Sequence, residues 1–301
     1  MHRTSKKQWK TDVWGWLLVS PLVLGLLIFT AYPLVSSVIY SFYDKSLRVT
    51  ENFGLQNYVA IFSVAGEFHE EFFHALWVTI KYTVISVPLG LVLGYSLALF
   101  LCAKIKGNKW LLTLYYLSSL IPAVVSGRIW ANIIDVNYGI INTVLMRLDL
   151  KGISFTSPEN LLPAYIWLTT FGIGGGSIVW CAGISSVDPN LYEAASLDGA
   201  GKIKQFFFVT LPMTTPYIFY NLIMGMIGSL QLFNGPYVLT GDASGGAGNA
   251  LQTVEMSIYY TMFQRQRYGV ASAMAWILCV IIGVLTLFTF KSNKWVQYGD
   301  D

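Results

Sequence analysis

Six stretches of this chain, at positions 14–40, 75–102, 110–134, 161–184, 216–239 and 268–290, run almost without charge. Each reaches the length of about 20 mostly apolar residues that a helix needs to cross the hydrocarbon core of a bilayer. In lipid every backbone N–H and C=O has to be satisfied within the protein, so only helices and closed barrels cross it. None of the six stretches alternates with the period of two that a barrel strand requires. The expected fold is therefore all-α: one polytopic membrane domain over 1–301, a bundle of six transmembrane helices. Composition agrees, with 54% of residues hydrophobic and 12% charged, too little charge to clothe a soluble surface. The first stretch follows Arg3, Lys6, Lys7 and Lys10, as a signal peptide would. Its apolar run outlasts the roughly 7–15 residues of a signal core and no small-x-small cleavage site follows it, so it reads as a retained helix.

Lysine and arginine set the orientation. They collect at the N-terminus, at Lys104, Lys106 and Lys109, at Lys202 and Lys204, and at Lys291 and Lys294, whereas 44–74 carries Glu51, Glu67, Glu70 and Glu71 against Lys45 and Arg48. The basic segments are expected in the cytoplasm with both termini. The net charge of +3 belongs to those loops and implies no nucleic-acid partner. The longer connections 44–74, 135–160 and 240–267 face outward and have room for short helices. The glycine-rich run 241–248 cannot be helical, because glycine loses too much backbone freedom on ordering. Cys102, Cys181 and Cys279 all fall at or within apolar stretches, so neither disulfides nor cysteine metal sites are expected. His2, His69 and His74 have no ligand spacing, no catalytic triad or carboxylate pair can be assembled, and no metal site is expected.

The segment 188–212 interrupts the apolar series with Glu193-Ala194-Ala195-Ser196-Leu197-Asp198-Gly199-Ala200-Gly201 and then Thr210-Leu211-Pro212. Leu191, Tyr192, Ala194, Ala195 and Leu197 supply apolar surface, Glu193 and Asp198 supply charge, and Gly199 and Gly201 permit a turn or a close approach. Pro212 and Pro216 stop the helical run before the chain re-enters the membrane. The expected product is a short helix across the cytoplasmic face, with an exposed acid and a tight corner, offered to a partner outside the lipid.

These residues resemble the EAA loop of the membrane permeases of binding-protein-dependent ABC importers, and 192–216 resembles most the carbohydrate-uptake branch, with its YEAA, DGA and TLP elements in register. Further similarity lies in 52–58, in Gly139-Ile140-Ile141-Asn142, in 231–240 and in 268–272, so it extends over nearly the whole chain. The resemblance implies a type I importer permease fold and a coupling helix, with Glu193, Ala194, Ala195, Asp198 and Gly199 as its contact residues. It implies as partners a second homologous permease, two ATPase subunits that bind ATP and Mg, an extracytoplasmic solute-binding protein, a carbohydrate substrate and the lipid of a bacterial plasma membrane. The chain itself has no Walker-type Gly-x4-Gly-Lys-Ser/Thr loop; Gly172 to Ser177 is glycine-rich without a lysine. No cofactor and no enzymatic activity of its own are expected.

A sugar needs hydrogen-bonding side chains for its hydroxyls and aromatic rings for its CH faces. The fourth and fifth stretches supply both: Thr169, Thr170, Gly172 and Gly175 in one, Ser229, Gln231, Phe233 and Asn234 in the other. The Asn234-Gly235-Pro236 sequence breaks helical hydrogen bonding at membrane depth, which is tolerated where the freed backbone faces protein or a wet cavity. The resemblance places Gly172, Gly175, Gly228, Ser229 and Leu232 at the family's sugar site, with Leu168 and Leu232 where a maltose-importing member has amides. Close packing through small residues and an interhelical bond from Gln231 are the structural alternatives. Lys81 and Arg128 are the two cations within the stretches, and each lies near enough to an end to snorkel. The competing functional class is an ion-coupled secondary carrier, which the lack of any Asp, Glu or His inside the stretches disfavours.

Overall fold

The computed structural model describes residues 6–45, 50–103, 106–170, 172 and 176–297. The chain opens with α1 (Lys6–Leu26), which passes through a π-helical turn into α2 (Tyr32–Ser41). An outer segment follows, with strands β1 (Tyr43–Lys45) and β2 (Thr50–Phe53) and helix α3 (Gln56–Phe62). The longest helix, α4 (His69–Cys102), has 34 residues. Then come α5 (Asn108–Ser119), α6 (Ala123–Ile133), α7 (Ile140–Arg147), α8 (Pro158–Thr170) and α9 (Ser177–Ser185). The polar segment forms α10 (Pro189–Leu197), α11 (Lys202–Gln205), a π-helical turn and α12 (Leu211–Met213). The rest is α13 (Thr215–Leu230), α14 (Asn234–Thr240), α15 (Val254–Tyr259) with a π-helical turn after it, and α16 (Tyr268–Lys291).

Three helical runs among the described residues are long and apolar enough to cross a membrane uninterrupted: Trp14–Ser41, His69–Cys102 and Tyr268–Trp295. A fourth crossing exists if Lys202–Met213 and Thr215–Leu230, bent by 62°, count as one. This corrects the expectation of six continuous spans. The third stretch breaks between α5 and α6, where Pro122 stands just outside the helix with ψ 139°; proline has no N–H to donate and keeps its predecessor out of helical geometry. The fourth breaks between the end of α8 at Thr170 and the start of α9 at Ser177. The fifth breaks at 231–233, where Phe233 adopts φ −128° and ψ −60° ahead of Asn234-Gly235-Pro236. Total apolar length hides such interruptions, because a window of hydropathy cannot see a missing donor.

One element is added to the expected all-α bundle and one further expectation is corrected. The bundle carries one small antiparallel hairpin, β1 pairing with β2 in the register Tyr43↔Phe53, Asp44↔Glu51 and Lys45↔Thr50. Its rings explain it: Phe53 packs on Phe42 at 5.8 Å and edge-on against Tyr43 at 5.4 Å. The buried Asn57 amide donates to the carbonyls of Ser41 (2.9 Å) and Tyr43 (2.8 Å), holding the hairpin to α3. Cys102 and Cys181, 79 residues apart, are joined in a disulfide with a Cα–Cα distance of 5.8 Å. Helix packing of α9 on the C-terminal end of α4 brings them together, a proximity that sequence spacing does not reveal.

Helix α4 is the axis of the bundle, packing against α8, α9, α13 and α15. At its outer end Phe68, Phe72 and Ala75 meet Val254, Val270 and Met274, all essentially inaccessible. Midway Tyr82 meets Leu161, Tyr165 and Leu251, and toward the C-terminal end Tyr95 stands edge-on to Trp180 at 5.3 Å. Polar staples fix the packing: Thr79 Oγ1 donates to Ala75 O and accepts the Val254 N–H at 3.0 Å, and the Tyr95 hydroxyl shares a 2.8 Å hydrogen bond with Thr214. Lys81 lies on the surface with Nζ 5.1 Å from the Trp77 ring, and Arg128 is exposed as well.

The outer connections hold the short helices their length allows. Asn142, at the start of α7, is fully buried; its Oδ1 accepts from Ile153 N (2.8 Å) while Nδ2 donates to Ile153 O (2.9 Å) and Asp135 O (3.2 Å). The Asp135 carboxylate accepts the N–H groups of Asn137 and Tyr138, and these donors hold it below the usual carboxylate range. In the glycine-rich run, Gly241, Gly245, Gly246 and Gly248 all have positive φ.

Candidate functional site

Two sites come out of this architecture, one at the polar segment 188–212 and one inside the bundle. In the polar segment, Asp188 caps α10, its carboxylate accepting the Asn190 N–H at 2.9 Å, with Pro189 as the first helical residue. Proline there loses nothing, since that N–H has no helical acceptor. The other end closes at Gly199, with φ +75°. Gly199 N donates to Ser196 O (3.1 Å) and Ala200 N to Ala195 O (2.9 Å), the paired bonds that end a helix through a left-handed glycine. The two-turn helix thus has chemically specified ends.

Its outer face is bare. Glu193, Ala194, Leu197, Asp198 and Gly199 are all exposed and Leu197 shows 90% of its surface, while Ala195 is half-buried. Among the described residues the Glu193 carboxylate makes no hydrogen bond or ion pair. Its inner face is braced by a residue the sequence reading did not single out. Gln205 is 4% exposed; its Nε2 lies 2.8 Å from Ser196 Oγ, 3.2 Å from Ala200 O and 3.5 Å from Tyr192 O. The Tyr192 hydroxyl meets Thr210 Oγ1 at 2.9 Å. Through Gln205 and Thr210, α10 is bonded to the segment that runs on through α12, bends and becomes α13. The signal for Gln205 was faint: one amide between Lys204 and three phenylalanines.

Inside the bundle, a cavity of about 340 Å³ lies between α4, α8, α9 and α13. Thr169, Thr170, Gly172 and Ser229, all expected on the pathway, line it together, as does Gly228. Tyr82 and Ser86 of α4, Trp180 of α9 and Asn221 of α13 line it too, and sequence reasoning missed these four because their convergence depends on how α4 packs. Three more wall positions are Gly90, Gly176 and Gly225. A second cavity of about 310 Å³, between α6, α8 and α14, shares Thr169 and Gly172 with the first and includes Leu168 and Trp130. Gln231, Phe233 and Asn234 line neither; they sit at the break between α13 and α14, with Gln231 and Asn234 exposed. Gly175 lies outside the described residues. At the break, the carbonyl that Leu232 can no longer give to a helical partner accepts from Thr253 Oγ1. The packing of α14 on α8 leaves Gly235 no room for a Cβ, which would overlap the Tyr165 hydroxyl.

The arrangement offers a polar, aromatic-lined hollow within an apolar bundle and, apart from it, a projecting helix whose acid has no partner among the described residues.

The comparisons agree in kind. A family model described as "Binding-protein-dependent transport system inner membrane component" matches residues 86–297. The probable ABC transporter permease protein YesP of Bacillus subtilis is 34% identical over 294 residues, covering 96% of this chain and 93% of that protein. The trehalose/maltose transport system permease protein MalF of Thermococcus litoralis is 28% identical over 298 residues, covering 97% of each. The crystal structure of a bacterial ABC transporter involved in the import of the acidic polysaccharide alginate superposes with a TM-score of 0.79 at 25% identity, covering 97% of this chain and 100% of that one.

Proposed function

The chain belongs to the family of binding-protein-dependent transport system inner membrane components, and from that membership we propose how it works as the permease subunit of a carbohydrate-importing ABC transporter. It is not itself an enzyme: ATP and Mg are held by two ATPase subunits, an extracytoplasmic solute-binding protein delivers the sugar, and a second, homologous permease completes the pore. Both termini lie in the cytoplasm of a bacterial cell, and the half-helices α5/α6 and α8/α9 complete further crossings as interrupted pairs around the pathway.

The observation that carries this reading is the projection at α10, bare outside and bonded inside to the segment that becomes α13. Glu193, Ala194, Ala195, Asp198 and Gly199 seat in a groove of the ATPase, the small residues allowing deep entry and Glu193 pairing with a basic group. When nucleotide draws two ATPases together, α10 moves with them, Gln205 and Thr210 carry the displacement to α13, and the bundle switches between two packed states. Thr169, Thr170, Gly172, Gly175 and Ser229 give the sugar its passage, with Gln231, Phe233 and Asn234 at the break beyond.

The test is uptake by the assembled transporter carrying Glu193→Lys or Gly199→Val. The first reverses the charge at the contact; the second places a branched side chain at a φ costing roughly 1–2 kcal/mol for any residue with a Cβ. Both variants are expected to insert in the membrane at wild-type levels and to lose uptake. Transport at wild-type rate with either, or ion-driven uptake by this polypeptide alone in liposomes, overturns the reading.

A further inference from the structure

Beyond both cavities, the break at 231–233 opens onto a ladder of rings. Phe233 and Tyr237 stack at 5.2 Å with their planes 21° apart. Tyr259 of α15 stands 5.1 Å from Phe233 and 5.7 Å from Tyr237, and Phe263 stands 4.8 Å from Tyr259. The ladder climbs from the interior outward: Phe233, Tyr237 and Tyr259 are half-buried and Phe263 is 59% exposed. It belongs to α14, α15 and the π-helical turn, at the outer side of the bundle, and shares no residue with the Thr169–Ser229 cavity.

Its polar neighbours are unspent. Glu255 lies one turn before Tyr259, on the same face of α15 by helical spacing. Among the described residues its carboxylate makes no hydrogen bond or ion pair although it is half-buried, and burial raises its pKa. The side-chain amides of Gln231 and Asn234 likewise make no hydrogen bond among the described residues. The acid nearby at Glu71 is fully engaged instead, with Arg265 at 2.7 Å and with Gln252 and Ser257.

We infer that the Phe233–Tyr237–Tyr259–Phe263 ladder, with Glu255 and Asn234, is an outer saccharide-binding track that accepts uncharged sugars and disfavours uronates. The inference rests on the carbohydrate-importer reading. A pyranose is the ligand that uses all of these groups at once: its CH face covers a ring, and adjacent hydroxyls donate to the two oxygens of a carboxylate that has no partner among the described residues. A lipid chain or an apolar helix would cover the rings and leave Glu255 stranded at a cost in free energy. A sugar carboxylate would meet Glu255 as a like charge.

The experiment uses the whole importer, purified in nanodiscs, with maltotriose and trigalacturonate as neutral and anionic probes read by saturation-transfer NMR. Maltotriose is expected to receive saturation from aromatic protons. Phe263→Ala, at an exposed position that leaves the fold intact, and Tyr259→Leu each weaken that signal about fivefold. Trigalacturonate gives little signal with the wild type and at least about threefold more with Glu255→Gln. Equal signals for the two probes, no signal for maltotriose, or no effect of Phe263→Ala overturns the proposal. So does loss of the second permease from the Tyr259→Leu complex, which makes the ladder a subunit contact. Co-purification of the ATPase subunits with every variant separates these failures from failure of the importer reading, which predicts that those subunits stay bound whatever the ladder does.

Discussion

Gln205 illustrates how one side chain converts a surface helix into a mechanical part. Two amide hydrogens serve three acceptors around α10, and Lys202 Nζ donates back to its Oε1 at 3.3 Å. Replacing this buried amide with an apolar group removes the donor to Ser196 Oγ and Ala200 O, while Tyr192 O keeps the Ser196 hydroxyl, a loss of about 1–3 kcal/mol. For Gln205→Leu we expect normal membrane insertion, weaker ATPase retention and uptake reduced at least about tenfold, measured as transport per molecule of assembled complex. At this scale the sequence was legible wherever chemistry is local. Gly199 turns left-handed where the polar segment was expected to turn, because such signals act through adjacent residues, whereas Asp188 and Pro189, which start the helix, were not singled out. Gln205, Tyr82, Ser86 and Asn221 acquire their roles from helices far away in the chain, so nothing beside them in sequence marks them.

At the scale of elements, the interruptions set the design. Hydropathy finds the apolar stretches, but Pro122, the glycines near 172–176 and Asn234-Gly235-Pro236 divide three of them into shorter pieces. The same glycines and the same Asn234-Gly235-Pro236 marked the fourth and fifth stretches as pathway candidates. Thr169, Thr170, Gly172 and Ser229 share one hollow, and Gln231, Phe233 and Asn234 lie apart from it. A broken helix has to find new partners for its freed backbone groups, and Thr253 does so for Leu232 O while also receiving the Met256 N–H. Thr253→Val keeps the shape and removes the donor. We expect a loss of about 1–3 kcal/mol, read as a lower melting temperature of the purified complex, with Thr253→Ser retaining most of the wild-type value. The outer hairpin was not legible for a related reason: β1 and β2 are held by rings and by Asn57, outside the stretches that hydropathy can read.

For the whole molecule, α4 is the member on which α8, α9, α13 and α15 pack, and the link between Cys102 and Cys181 ties its C-terminal end to α9, a few residues ahead of α10. Cys279 is free and exposed. Thiol tagging of the unfolded chain is therefore expected to add one label without reductant and three after reduction, and three labels in both conditions would disprove the pairing in the purified protein. The glycine-walled hollow has a further bearing on how cargo is chosen. Gly90, Gly172, Gly176, Gly225 and Gly228 make up part of that wall, beside Tyr82, Trp180 and Met224, so on the glycine side the width is set by how closely the helices approach. Glycine also offers no side chain to a sugar hydroxyl, which leaves Ser86, Thr169, Thr170, Asn221 and Ser229 as the polar handles of the hollow. Fitting a bulkier cargo would therefore call for a shift of whole helices along the glycine side, whereas telling one cargo from another would fall to those few hydroxyls and one amide.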